Sequence, residues 1–248
     1  MKTIITIFTG LFLACSTTAQ TIMPNATKII QRVDKQLSSK SRRAESTLII
    51  YGKRFTRKMQ SINYTQGTTH SFVEYIAPER EKGTKMLKLN KEMWIYSPST
   101  DRTIMISGHL MRQSMMGSDL SYEDMMEDRK LSEMYSATYV KEELIDGRNC
   151  YVIDLKAILD DVAYPSQRIW VDTEYQVPLY QQLFAKSGKL LKEIKNRDIQ
   201  QIGNRWFPMK INYKDMLKDG KGTDLIIQKI EFDINIPTSI FTKSSLKR

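Results

Sequence analysis

Apolar side chains change their spacing along the chain, and each spacing predicts an element. Ile29, Ile30, Val33 and Leu37 recur at helical intervals, so residues 24–37 predict one amphipathic helix with a single apolar stripe. After the polar stretch 38–46 the period falls to two. Leu48 and Ile50, then Phe55 and Met59, then Ile62 and Tyr64 alternate with polar partners. The parity changes between Met59 and Ile62, which predicts a bulge or a strong bend there. Gly67 turns the chain into Phe72, Val73 and Tyr75.

The second half alternates more cleanly. Residues 138–145 and 148–157 flank Asp146-Gly147, a strong hairpin signal. Residues 167–172 predict another strand, and 179–185 meets 189–195 at Ser187-Gly188. Residues 205–217 place Phe207, Met209, Ile211, Tyr213 and Leu217 on one face. In residues 223–236, Ile226, Ile230, Phe232, Ile234 and Ile236 share a side opposite Lys229, Glu231, Asp233 and Asn235. Roughly ten strands with hairpin-length links make a sheet wide enough to curl, because strand twist accumulates from neighbour to neighbour. The expected fold class is therefore mainly β: a large curled antiparallel sheet forming an unclosed half-barrel, with an N-terminal helix and a short helical lid. Too few helices exist to plug its concave side, which predicts a hollow able to take an apolar ligand. A fully packed sandwich is the alternative.

Residues 105–134 lack strand alternation and carry seven of the fourteen methionines. Methionine is flexible and polarisable, so the cluster predicts a mobile flap over the hollow. Met111, Met115, Met116, Gly117, Ser118, Asp119, Tyr122, Met125 and Met126 are the expected lid residues. Ser121-Tyr122-Glu123-Asp124 fits a helix start, with Ser121 as the cap and two carboxylates in the positive first turn. Gly117 permits the bend before it.

The same stretch argues against catalysis. Met116-Gly117-Ser118-Asp119-Leu120 lacks the Gly-x-Ser-x-Gly elbow of a hydrolase. His70 and His109, the only histidines, have no metal-ligand spacing, so no metal and no cofactor are expected. Cys150 sits in an apolar run and reads as a buried small residue. The net charge of +10 comes without any nucleic-acid-binding motif, which leaves a solvated face or attraction to anionic lipid.

The N-terminus reads as an export signal. Lys2 precedes the short apolar run 4–14, and Thr17-Thr18-Ala19 offers small residues for cleavage before Gln20. Residues 1–19 are thus the expected signal peptide and 20–248 one domain, located in the periplasm. Phe12-Leu13-Ala14-Cys15 also resembles a lipobox, in which case Cys15 carries lipid and the protein is tethered to the inner or outer membrane.

Three blocks carry a family resemblance: residues 78–88 (PEREKGTKMLK), residues 93–98 (MWIYSP) and residues 112–124 (RQSMMGSDLSYED). Together with the tail 236–242 they resemble the outer-membrane lipoprotein-sorting proteins of the LolA-like superfamily, in the branch associated with RND-type exporters. The resemblance implies an unclosed barrel with a helical lid, and a cavity that receives acyl chains of lipoproteins or lipids. It implies shuttling between membranes without catalysis, from an inner-membrane RND-type transporter to an outer-membrane acceptor. The second implied role is a non-catalytic periplasmic adaptor of such an exporter. An arginine latches the lid in the best-known carriers, and Arg54 and Arg57 are candidates here. The expected cavity residues are Leu48, Ile50, Phe55, Leu87, Trp94, Tyr96, Phe207, Ile211, Ile230 and Phe232.

Overall fold

Asn25 starts the helix that the apolar stripe predicts. Its side chain accepts a hydrogen bond from the Lys28 amide at 2.9 Å and so caps α1 (Ala26–Leu37). The structure, a computed structural model, describes residues 23–52 and 55–247. The expected signal peptide, Cys15 and Arg54 lie outside those residues.

Thirteen strands form one sheet: β1 (Ser41–Tyr51), β2 (Thr56–Gln66), β3 (His70–Ala77), β4 (Lys85–Leu89), β5 (Glu92–Ser97), β6 (Arg102–Ile106), β7 (Tyr135–Ile145), β8 (Arg148–Ala157), β9 (Ser166–Asp172), β10 (Pro178–Phe184), β11 (Leu190–Ile202), β12 (Arg205–Asp215) and β13 (Thr223–Phe232). Every pairing is antiparallel, in the order β6-β5-β4-β3-β2-β1-β13-β12-β11-β10-β9-β8-β7. The first strand therefore pairs with the last, and the two edges, β6 and β7, are consecutive in the chain. They do not bond to each other, so the half-barrel stays open. The segment that joins them, residues 107–134, is the lid.

The strand count exceeds the ten expected, and β4 shows why. Lys85, Met86, Leu87 and Lys88 are all buried, so a strand covered on both faces shows no alternation to read. The second cover is the C-terminal segment. Ile236, Phe241 and Leu246 pack outside the sheet against Phe72, Leu87 and Trp94, and Tyr64 joins them. Each such apolar side chain contributes about 1.5–3 kcal/mol relative to exposure.

That outer cover also explains two corrections of parity. The β2–β3 register shifts at Gln60/Ser61, close to the expected bulge. Yet Ser61, Asn63 and Thr65 face the concave side, and Tyr64 takes the covered outer side. On β13, Ser46 pairs with Ile227 and Glu45 with Lys229, which leaves Gln228 bulged out. The bulge puts Leu225, Ile227 and Ile230 on the concave side, in place of the expected Ile226 with Ile230. Asp233, at φ 56°, then ends the strand, and Ile234 and Ile236 belong to the outer segment.

Helix α1 fills one arm of the trough. Ile29, Ile30 and Val33 pack on Tyr135, Ile153, Leu155, Ile169 and Val171 of β7–β9. The other arm, roofed by the lid, is left hollow.

Candidate functional site: a lidded cavity

The lid is built from short turns and two short helices, α2 (Tyr122–Met126) and α3 (Leu131–Met134). Helix α2 starts with the expected capping box. The Asp124 amide donates to Ser121 Oγ at 3.1 Å, and the Ser121 amide donates to Asp124 Oδ2 at 2.6 Å. Ser121→Ala should cost about 1 kcal/mol. The measurement is amide hydrogen exchange, which should quicken in residues 121–126 while the strand amides stay protected; unchanged exchange would mean that the cap is dispensable.

Polar clamps hold this strap to five parts of the sheet and to α1. Asp119 accepts from the Asp215 amide at 2.9 Å and from Thr223 Oγ1 at 2.8 Å, and its own amide donates to Thr223 Oγ1. Arg57 of β2 donates to the Met116 carbonyl. Gly117, at φ +76°, makes room for it, since a Cβ there would sit 3.1 Å from the guanidinium. Lys218 donates to the Ser118 carbonyl at 2.7 Å. Asp124 accepts from Lys192 of β11 and, at 2.7 Å, from Tyr164. Lys88 of β4, 3% exposed, reaches Asp128 at 2.6 Å and the Met126 carbonyl. Asp34 of α1 accepts from the Leu131 and Ser132 amides at 2.8 and 3.0 Å, capping α3 from outside.

The methionines play a smaller part than a soft flap would require. Met115 is sealed at 1% exposure against Leu48, Ile50, Met59, Val73, Tyr75 and Met86. Met115, Met125 and Met134 all line the cavity, Met111, Met116 and Met126 are half-buried, and Met105 is exposed. Tyr122 is half-buried beside that same cluster. Ser118 is fully buried and bonds only the backbone of Leu120 through its hydroxyl, whereas His109 is exposed, so the two do not pair.

Beneath the lid lies a cavity of about 470 Å³. The β10–β13 side is mainly apolar, with Leu183, Ile194, Phe207, Ile211, Leu225, Ile227 and Ile230, and Gln181, Lys192 and Asn196 interrupt it. The β1–β3 side is mixed: Arg42, Ser46, Ser61, Asn63, Thr65 and Ser71 stand among Ala44, Leu48, Val73 and Tyr75. Asn63 Nδ2 donates to Ser46 Oγ at 2.8 Å, and the Ser46 and Ser61 hydroxyls are 3.1 Å apart. A greasy hollow was expected, and the lining is mainly apolar with a hydrophilic share on β1–β3 and the lid. A wider groove of about 900 Å³ lies where the β8–β9 and β10–β11 connections meet. The lid does not reach it, and the Asp154–Arg168 ion pair, at 2.6 Å, lines it.

Of the expected cavity residues, Leu48, Phe207, Ile211 and Ile230 line the cavity. Ile50 is buried beside it under Met115, and Phe232 packs edge-on against the Phe207 ring. Phe55 is 68% exposed on the β1–β2 connection. Leu87, Trp94 and Tyr96 lie on the outer face, where Lys243 Nζ stands 4.1 Å from the Trp94 ring centre. The polar wall and Lys88, Lys192 and Asp34 were missed, because serines and asparagines on a strand read as solvent-facing.

Burial sets the local electrostatics. Tyr213 is pushed up to about 12 by burial, with the Asp124 charge adding and Arg42 opposing. Burial and the Asp124 carboxylate push the Tyr164 phenol well above its ordinary range, so it stays a hydrogen-bond donor. Burial pushes the Cys150 thiol up to about 12, which leaves it unreactive. Asn196 donates to the Pro178 carbonyl at 2.8 Å, but its buried Oδ1 has no partner. Such an orphan costs about 1–3 kcal/mol unless a water or a ligand donates to it. Among the described residues, no group of His, Cys, Asp and Glu is arranged to hold a metal, and no helix is long and apolar enough to cross a membrane.

A family model described only as "uncharacterized protein" matches residues 67–248. The chain belongs to that family. No curated protein matches it. Among solved structures, it is similar to a Vibrio parahaemolyticus domain assigned to outer membrane lipoprotein sorting, with 20% identity, 90% of this chain and 98% of that one covered, and a TM-score of 0.77. A DUF1329 family protein from Desulfovibrio piger gives 21%, 89% and 97%, at 0.80. A LolA superfamily protein from Nitrosomonas europaea gives 22%, 90% and 100%, at 0.74. The fold is LolA-like. In this LolA-like chain the family match begins at Gly67 and includes the whole lid.

Proposed function

We propose that this protein is an exported, periplasmic carrier that holds an acyl chain of a lipid or lipoprotein under its lid and moves it toward the outer membrane. No chemical step is involved. The observation that carries this reading is the cavity of about 470 Å³ beneath the lid, with a mainly apolar β10–β13 side. At roughly 30 Å³ per methylene-sized group, about the share of one water in the liquid, it takes on the order of fifteen carbons: one chain. Each buried CH₂ contributes about 0.8 kcal/mol, enough for a single chain to leave a membrane transiently. Release then requires the lid to lift, and its clamps are polar bonds that water or a membrane surface can replace.

The test is native mass spectrometry with lipid extraction on protein purified from a bacterial periplasm. The expected result is one acylated ligand per chain. A protein that arrives empty and cannot be loaded would overturn the reading.

A further inference from the structure

We propose that the cavity holds the ligand's head as well as its tail, and that the head is an anion bound by Arg42. This inference rests on the carrier reading above and specifies its substrate class: a single-tailed amphiphile ending in a carboxylate or a phosphate monoester.

The charges around the cavity are almost all spent. Lys192 is paired with Asp124, Arg129 with Glu127 and Asp161, and Lys130 with Glu133. Lys88 is held by Asp128, and Asp34 by two backbone amides. Arg42 is the exception among the cavity's cations: among the described residues it makes no hydrogen bond and no ion pair. It is half-buried and faces inward from β1, whereas its neighbour Arg43 faces outward to Glu45 and Glu231.

Arg42 also stands in a receptive row. It pairs across the strands with Thr65, and Thr65 pairs with Ser71. All three line the cavity, and neither hydroxyl makes a hydrogen bond among the described residues. Directly opposed residues lie about 5 Å apart, so Thr65 stands beside Arg42 and Ser71 about 10 Å from it, within the reach of the long arginine side chain. That set matches a carboxylate or phosphate, whose oxygens take the fork bidentately and accept from the hydroxyls. From there the apolar wall begins at once. Ile230 pairs with Ala44, one step along from Arg42 on the same face, and Ile227 and Leu225 continue it toward Leu48 under the lid. A tail anchored at Arg42 is thus led along the hydrophobic side. Glu123, the cavity carboxylate without a partner among the described residues, sits on the lid and gives a competing mate for Arg42.

The experiment titrates delipidated protein with palmitate, hexadecyl phosphate and methyl palmitate, which share a tail and differ in the head. The unaltered protein should hold at least one of the anions about tenfold tighter than the ester, the worth of one charge-assisted contact. Arg42→Met should bring the anions down to the affinity that the ester shows in the same variant, whereas Glu123→Gln should not weaken the anions. Thr65→Val with Ser71→Ala should lower the preference in part, and serves if Arg42→Met does not fold. The better of the two anions identifies the source, a free fatty acid or a phosphate-ended lipid. Equal binding of ester and anions by the unaltered protein would overturn the head site and leave the carrier reading standing. So would an anion preference that survives Arg42→Met, since it would belong to the net charge. Failure of all three to bind would overturn both.

Discussion

Replacing Asp119 with alanine is expected to cost about 3–4 kcal/mol of stability and to release the lid. The carboxylate is buried and serves two donors, the Asp215 amide and the Thr223 hydroxyl, on the hairpin of β12 and β13. Thr223 is itself fully buried, so truncation leaves its hydroxyl proton without an acceptor, while the residue-119 amide still donates to its oxygen, and strands the part-buried Asp215 amide. Each orphaned group costs about 1–3 kcal/mol. For a chain of this size the loss lowers Tm by roughly 10 °C. The lid should also become open to proteolysis between residues 107 and 134, since Asp119 is its buried link to β12 and β13, leaving Lys192–Asp124 and Lys218–Ser118 as the remaining clamps on that side. Thermal unfolding and limited digestion measure both effects. A shift of under about 3 °C with an uncut lid would show that the strap is held elsewhere.

The second large effect is on loading. Ile227 and Ile230 both face the cavity because Gln228 is bulged out of the β1–β13 pairing between them. Ile227→Trp should fill the space beside Ile230 and lower acyl-chain uptake about a hundredfold, or nearly 3 kcal/mol of lost burial. Ile226→Trp, on the neighbouring outward-facing residue, should leave uptake unchanged. Overpacking costs about 1–3 kcal/mol of stability, so unfolding is followed in parallel to separate a blocked cavity from a damaged fold. Undiminished loading by a folded Ile227→Trp protein would place the chain's binding site outside this cavity. An exporter adaptor, by contrast, would keep its partner through the same substitution, and a pull-down distinguishes the two.

Features that depend on neighbours in the chain were readable in advance. The stripe of Ile29, Ile30 and Val33 marks α1 because helical geometry alone brings those residues together. Ser121 and Asp124 form their capping box across three residues. Asp146 and Gly147, at φ 49° and 79°, make the turn that their residue types favour. The open, one-sheet architecture followed from the same local signals, because many short alternating segments with few helices have few ways to pack.

Which side of each strand faces the cavity was not local. Alternation says that two faces differ, and the reader supplies which one is wet. Here the C-terminal segment covers the outer face of β2–β5, so Trp94 and Tyr64 bury outward while Ser61, Asn63 and Thr65 line the cavity. The clamps were hidden for a related reason: Asp34 meets Leu131 across 97 positions and Asp119 meets Thr223 across 104. A lone charge in a sequence carries no mark of its partner, because the cost of burying it is settled only when the chain closes and the opposite group arrives. Composition and periodicity thus pointed to a curled sheet with few helices, with a packed sandwich as the alternative. The hollow's two-sided chemistry came from the long-range closure of β1 on β13 and from the tail laid across the outside.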